Sequence, residues 1–96
     1  LLAQRDLAMI ELIYATGLRV SEAVGLRNAQ VNLEAGFLSV LGKGGKERVV
    51  PIGSQARERL LAYHSEVRPV LLRGRPSLHV FVGRSGRPLT TRAFQL

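Results

Sequence analysis

The chain has 96 residues, 46% hydrophobic and 22% charged, a globular balance that excludes a disordered chain and suits one small domain or part of one. It contains no cysteine, which excludes disulfides, thiol catalysis and cysteine-based zinc sites and fits a cytoplasmic protein. Fourteen Lys and Arg residues oppose seven Asp and Glu residues, and the resulting charge of +7 favours a polyanionic partner such as nucleic acid.

Positive charge is concentrated in the last third of the chain. No acidic residue follows Glu66, whereas six arginines do: Arg68, Arg73, Arg75, Arg84, Arg87 and Arg92. A solvated basic surface and a nucleic-acid contact are both compatible with this distribution, and the second is the one we expect.

The two ends of the chain indicate a piece of a longer protein. It begins at Leu1 rather than Met, and its last residues read as the first turns of a helix. We therefore expect a partial domain over residues 1–96, truncated at both ends. No apolar run reaches the length of about 18 residues needed for a membrane span, and no signal peptide is recognisable at the start.

Two helices are predicted in the first quarter of the chain. Apolar residues recur at helical spacing over residues 4–16 and nearly surround this helix, so it should be buried on most sides and end at Gly17. Ser21 is expected to cap a short second helix over residues 21–26. Arg19 would then lie in the turn between the two helices, where its side chain can be held in a fixed direction.

A β-hairpin is predicted over residues 36–52. Residues 37–41 and 48–52 carry the apolar and β-branched side chains of strands, and the segment between them contains the glycines that tight turns need. Because Pro51 lacks an N–H donor, the second strand should end there or lie at a sheet edge.

The rest of the chain is predicted to hold a helix, a strand and the start of another helix. The helix should cover about residues 54–68, with Pro69 closing it and a loop over 69–77 following. Residues 79–82 read as a short strand, and Thr90 or Thr91 would cap the last helix. The expected fold class is α+β, mostly helical, with a small antiparallel sheet (the hairpin plus one short strand) packed on helices.

Arg19 belongs to the run GLRVSE over residues 17–22. The planar fork of donors on Arg suits two phosphate oxygens. Gly17 can adopt the backbone conformation that a tight turn before Arg19 requires. The alternative is a structural Arg paired with Glu22 or Asp6, and the residues alone leave both possibilities open.

The hairpin turn GKGGKER, residues 42–48, combines small residues with three basic ones, Lys43, Lys46 and Arg48. Glycine lets a backbone approach a ligand closely, so this loop could grip a phosphate. It is not a P-loop, because it lacks that motif's spacing and the Ser or Thr after Lys. The alternative is a solvated hairpin tip, and RNA-binding proteins also carry basic glycine loops.

Together, YATGLRVSEAVGL over residues 14–26 and GKGGKERVVPI over residues 42–52 resemble the tyrosine recombinases of the Xer and phage-integrase kind. The resemblance runs through nearly the whole chain and is strongest over residues 10–53. It implies the N-terminal part of a catalytic domain that breaks and rejoins double-stranded DNA through a 3′-phosphotyrosine intermediate. It also implies sister recombinase protomers as partners and a reaction without metal or other cofactor.

The resemblance further implies roles for individual residues. Arg19 would bind the scissile phosphate, and Lys43 would be the general acid toward the leaving 5′ oxygen. Glu22 would support the turn that carries Arg19. Contacts to DNA are implied for four more residues: Lys46, Arg48, Thr90 and Arg92.

The family's later elements are absent from the sequence. Neither His64 nor His79 begins a His-x-x-Arg motif, and the two histidines have no carboxylate cluster that would make a metal site. Tyr14 and Tyr63, the only tyrosines, are interpreted as packing residues rather than nucleophiles. We therefore expect that this chain alone neither cleaves nor joins DNA. Two other functions stay open: a non-enzymatic basic module that binds RNA or DNA, and a structural domain with a basic surface.

Overall fold

The computed structural model describes residues 1–91, which form helices packed against a small sheet. The helices are α1 (Leu2–Thr16), α2 (Val20–Val24), α3 (Ser54–Ala62) and α4 (Arg68–Leu72). The strands are β1 (Val31–Asn32), β2 (Phe37–Leu41) and β3 (Glu47–Pro51). The α+β expectation is confirmed. Within this part of the chain, no helix is both long and apolar enough to traverse a membrane.

The turn between α1 and α2 forms partly as predicted. Gly17 ends α1 in the left-handed conformation, with φ of 72°. The expected cap of α2 is wrong, because Arg19 and not Ser21 is its N-cap residue. The backbone N–H of Arg19 donates a hydrogen bond of 2.8 Å to the carboxylate of Glu22, which is the N3 residue of the helix.

Helix α1 is buried on one side only, contrary to the prediction. Met9 and Leu12 are fully buried, whereas Tyr14 is 87% exposed, so Tyr14 is not a packing residue among residues 1–91. The physical reason is that α1 lies against α3 and the turn that follows α3, and these elements cover a single face. Its apolar residues are therefore divided between the core and the surface.

The three strands form an antiparallel sheet in the order β1-β2-β3. The predicted hairpin is confirmed, with β3 beginning one residue earlier than expected, and Val40 lies opposite Arg48. Leu38 and Val40 are buried on the inner face of β2. The short third strand is β1, which pairs with β2, rather than residues 79–82.

Residues 79–82 stay outside the sheet although they are largely buried, and Val80 and Phe81 form a bend. His79 pairs with Arg27 and Val82 with Pro88 as isolated bridges. Tyr63, which is 1% exposed, holds this segment in place: its hydroxyl donates to the carbonyl of Val80 (2.9 Å) and accepts the N–H of Val82 (3.1 Å). Tyr63 is thus confirmed as a packing residue. The segment pairs with side chains and loops instead of a neighbouring strand.

Pro69 does not end the third helix. Helix α3 continues through one π-helical turn, Tyr63–Val67, into α4, and Pro69 occupies the first turn of α4. A proline is tolerated there because a first turn needs no N–H donor and the π-turn has already interrupted the α-helical ladder. The helix ends at Arg73, whose φ is 51°, and the expected loop begins only after it.

Candidate functional site

The α1–α2 turn and the β2–β3 hairpin border an open cleft of about 760 Å³. Its lining residues are Gly17, Arg19, Glu22, Leu41, Gly42, Lys43 and Arg48. Residues far apart in the sequence thus meet in one place, and three cations accompany a single carboxylate. Both borders rest on the core, because Leu18 is 3% and Val40 5% exposed.

The side chain of Arg19 lines the cleft, and hydrogen bonds hold the backbone of this residue in place. Its N–H is bound to the Glu22 carboxylate, and its carbonyl accepts the N–H of Ala23 at 3.0 Å. Among residues 1–91 its guanidinium forms no hydrogen bond or ion pair. Of the two acids considered as its partners, Asp6 is paired with Arg5 at 2.8 Å, and Glu22 binds the backbone N–H of Arg19 instead of its guanidinium. The donors of Arg19 are therefore available to an anion from outside the chain.

Lys43 is presented by a tightly closed hairpin tip. The N–H of Gly42 donates to the carbonyl of Lys46 at 2.6 Å, and Gly44 and Gly45 both adopt positive φ, 77° and 78°. A Cβ at Gly42 would lie 3.3 Å from the Lys46 carbonyl oxygen, so a larger residue there would have to displace that carbonyl slightly. Within the part of the chain that the structure describes, the Lys43 ammonium has no acidic partner.

Of the other DNA contacts expected from the sequence, one residue lines the cleft and others lie outside it. Arg48 lines the cleft together with Arg19 and Lys43, whereas Lys46 is exposed on the hairpin outside the cleft lining. Thr90 is exposed and also lies outside that lining. Arg92 and the helix expected around it lie outside the described residues.

Leu41 lines the cleft without having been expected there. Nothing in its sequence context separates it from any other strand residue, and its place depends on where the hairpin meets the α1–α2 turn. The capping contact of Glu22 has only half of a sequence signal: it is an acid three residues after the N-cap, but Arg19 lacks the Ser or Thr hydroxyl of a capping box.

Neither tyrosine reaches the cleft. Tyr63 is buried on the π-turn, and the exposed ring of Tyr14 is not part of the cleft lining. In the described range 1–91, no group of three or more His, Cys, Asp or Glu side chains could hold a metal ion. What the cleft offers chemically is positive charge: two guanidinium groups and one ammonium facing a space large enough for a phosphodiester.

Comparison with known proteins finds relatives that match nearly the whole chain. The chain is 47% identical over 90 residues to tyrosine recombinase XerD of Halalkalibacterium halodurans, a match that covers 94% of the chain and 30% of that relative. It is 51% identical over 96 residues to tyrosine recombinase XerC of Azotobacter vinelandii, covering 99% of the chain and 31% of the relative. The chain thus spans about a third of the length of the relatives it matches.

Solved structures share the fold at lower sequence identity. The crystal structure of XerA recombinase superposes with a TM-score of 0.77 at 22% identity, covering 94% of this chain and 31% of that one. The Tn1549 transposon integrase, solved in complex with circular intermediate DNA, gives a TM-score of 0.55 at 22% identity, with coverage of 93% and 33%. The phage integrase family matches over residues 2–96. The chain therefore belongs to the phage integrase family of tyrosine recombinases.

Proposed function

We propose that this chain is part of the catalytic domain of a cytoplasmic site-specific recombinase, which breaks and rejoins double-stranded DNA through a 3′-phosphotyrosine intermediate. The observation that carries the proposal is the unpaired guanidinium of Arg19 in one cleft with the ammonium of Lys43. The names of the relatives, tyrosine recombinases XerC and XerD, support it. So does the DNA bound to the Tn1549 integrase. Sister recombinase protomers are the expected partners of the full-length protein.

Arg19 binds the scissile phosphate in this mechanism. When a nucleophile attacks a phosphodiester, negative charge grows on the two nonbridging oxygens, and a preorganised guanidinium stabilises that charge more than it stabilises the ground state. Arg19 suits this task because its backbone is held on both sides by hydrogen bonds. By analogy with a single oxyanion-hole donor, its contribution is on the order of 10²–10³ in rate.

Lys43 protonates the leaving group. The tyrosine oxygen forms a bond to phosphorus, the bond from phosphorus to the 5′ oxygen breaks, and that oxygen takes a proton from the Lys43 ammonium. The phosphotyrosine bond conserves the energy of the broken one, so that rejoining requires no nucleotide hydrolysis. Because neither Tyr14 nor Tyr63 reaches the cleft, the nucleophile is supplied by a part of the protein outside residues 1–96.

Substitution of Arg19 in the full-length protein tests the proposal. For Arg19→Ala we expect DNA binding within a few-fold of the native protein, measured by gel shift, and loss of the covalent protein–DNA complex on a nicked substrate. The binding survives because one phosphate contact among many is lost, whereas the transition state loses its main charge partner.

Two outcomes would contradict the proposal. A native protein that forms no covalent complex on any DNA would remove the enzymatic function. A parallel fall of binding and complex formation in Arg19→Ala would favour the non-enzymatic basic module, whose only role for Arg19 is attraction to the DNA backbone.

A further inference from the structure

The side chain of Arg48 projects from the inner face of the sheet. Side chains alternate between the two faces of a strand, and Arg48 lies opposite Val40, which is buried. Val50, the next residue of β3 on the same face, packs against the core. Arg48 lies on this inner face beyond the edge of the core. The Arg48 side chain therefore lines the cleft instead of pointing to the outer solvent.

The guanidinium of Arg48 has no acidic partner within residues 1–91. Its neighbour Glu47 lies opposite Leu41 and belongs to the other face of the hairpin by the same alternation. The carboxylate of Glu22 is already bound to a backbone N–H. Three cations around one carboxylate repel one another, and a bound anion would relieve that repulsion.

Lys46 provides a contrast on the same hairpin. It is exposed, lies outside the cleft lining, and takes part in closing the hairpin tip through its carbonyl. Lys46 and Arg48 carry the same charge two positions apart, but only Arg48 shares a cavity with Arg19 and Lys43.

We propose that Arg48 contacts the reacting phosphate itself, as a second guanidinium beside Arg19, whereas Lys46 contacts a flanking phosphate. This inference rests on the proposed recombinase function and deepens it. The two guanidinium groups come from different borders of the cleft, Arg19 from the helical turn and Arg48 from the hairpin. Each can therefore bind a different nonbridging oxygen of one phosphodiester, and both oxygens gain charge in the transition state.

The experiment uses the full-length protein with Arg48→Ala and, as the matched control, Lys46→Ala. Covalent complex formation is measured in single turnovers at saturating protein on two nicked substrates. One carries the natural scissile phosphate, and the other carries a methylphosphonate there, which has lost the charge of one nonbridging oxygen. Both stereoisomers of the methylphosphonate are used, so that either oxygen is neutralised in turn.

On the natural phosphate we expect Arg48→Ala to slow complex formation by about 10²-fold, the size typical of one lost transition-state donor. On one methylphosphonate stereoisomer this defect should largely disappear, because the charge that Arg48 stabilises is no longer there. Lys46→Ala should weaken binding, and its rate relative to the native protein should be the same on the natural phosphate and on both methylphosphonates. Arg48→Lys, which keeps the charge but loses the fork of donors, should fall between native and Arg48→Ala.

An Arg48→Ala defect of the same size on the phosphate and on both methylphosphonates would overturn the inference. A Lys46→Ala defect as large as that of Arg48→Ala would also overturn it. Partial unfolding of the variant cannot imitate the expected result, since one protein preparation is used on every substrate. If the native protein forms no covalent complex at all, the proposed function itself fails. If the native protein forms the complex and Arg48→Ala forms it at the native rate, only the proposed role of Arg48 is excluded.

Discussion

At the scale of the residue, Arg19 illustrates how a long flexible side chain can be aimed. Leu18 before it is buried in the core, and the Glu22 carboxylate holds its backbone N–H. With its own backbone immobilised, the guanidinium loses less conformational freedom when it binds a phosphate. Arg5 shows the opposite use of the same residue type, since it is buried and bound to Asp6 and to the Val82 carbonyl.

The proton-donor role of Lys43 is testable with one change of atom in the DNA. Lys43→Ala in the full-length protein should form the covalent complex far more slowly on a natural nicked substrate. A bridging 5′ sulfur at the scissile position should restore the rate to near that of the native protein, because a thiolate leaves without taking a proton.

The control for this experiment is Arg19→Ala, which should stay inactive on the sulfur substrate, since its defect concerns the nonbridging oxygens. If Lys43→Ala also stays inactive there, Lys43 is not the general acid and acts only through its charge.

At the scale of the element, the helical rod of α3, the π-turn and α4 organises the second half of the fold. The π-turn brings Tyr63 and Val67 to the core and lets Pro69 follow without a break in the helix. Tyr63 then binds the backbone of the 79–82 segment, which also receives hydrogen bonds from Arg68. A long-range contact of this kind substitutes for the strand pairing that the segment lacks.

Tyr63→Phe should lower the free energy of unfolding by about 1–3 kcal/mol, because the buried N–H of Val82 would lose its acceptor. Burial raises the pKa of the Tyr63 hydroxyl above its ordinary value of 10.0. Since the raised pKa belongs to the folded state, this stabilisation is complete below pH 10.0 and is lost as the pH rises through the folded-state value.

Denaturant unfolding measures this loss of stability. The native protein and Tyr63→Phe are each unfolded below and above pH 10.0. The native protein should lose more stability than Tyr63→Phe at alkaline pH. Tyr14→Phe is the matched control, since Tyr14 is 87% exposed and its substitution should leave the free energy of unfolding unchanged. An equal alkaline loss in native protein and Tyr63→Phe would contradict this assignment.

At the scale of the whole molecule, the charge of +7 is divided between different tasks. Arg5 and Arg68 bind carbonyl groups of the fold, and Arg59 pairs with Glu11. The cations of the cleft and of the hairpin tip remain without acidic partners among residues 1–91. Net charge alone therefore overstates how many basic groups are available to DNA.

The salt dependence of DNA binding measures how many basic side chains contact DNA phosphates. Lys46→Ala should reduce the slope of log affinity against log salt by about one unit, the value for one phosphate contact on double-stranded DNA. Arg59→Ala is the control, because Arg59 is paired with Glu11 and should leave the slope unchanged. A slope unaffected by Lys46→Ala would mean that Lys46 is only solvated.

The family, the α+β class, the first helix with its glycine end and the hairpin could all be predicted from the sequence. The helix and the hairpin depend on local periodicity and turn glycines, and the family resemblance depends on two motifs close in the chain. The tertiary structure alone decided which strand joins the sheet, how Pro69 fits inside a helix, and that Tyr14 is exposed. It also decided that Arg48 and not Lys46 lines the cleft. These outcomes depend on which surfaces meet, and packing between residues distant in the chain leaves little trace in local spacing.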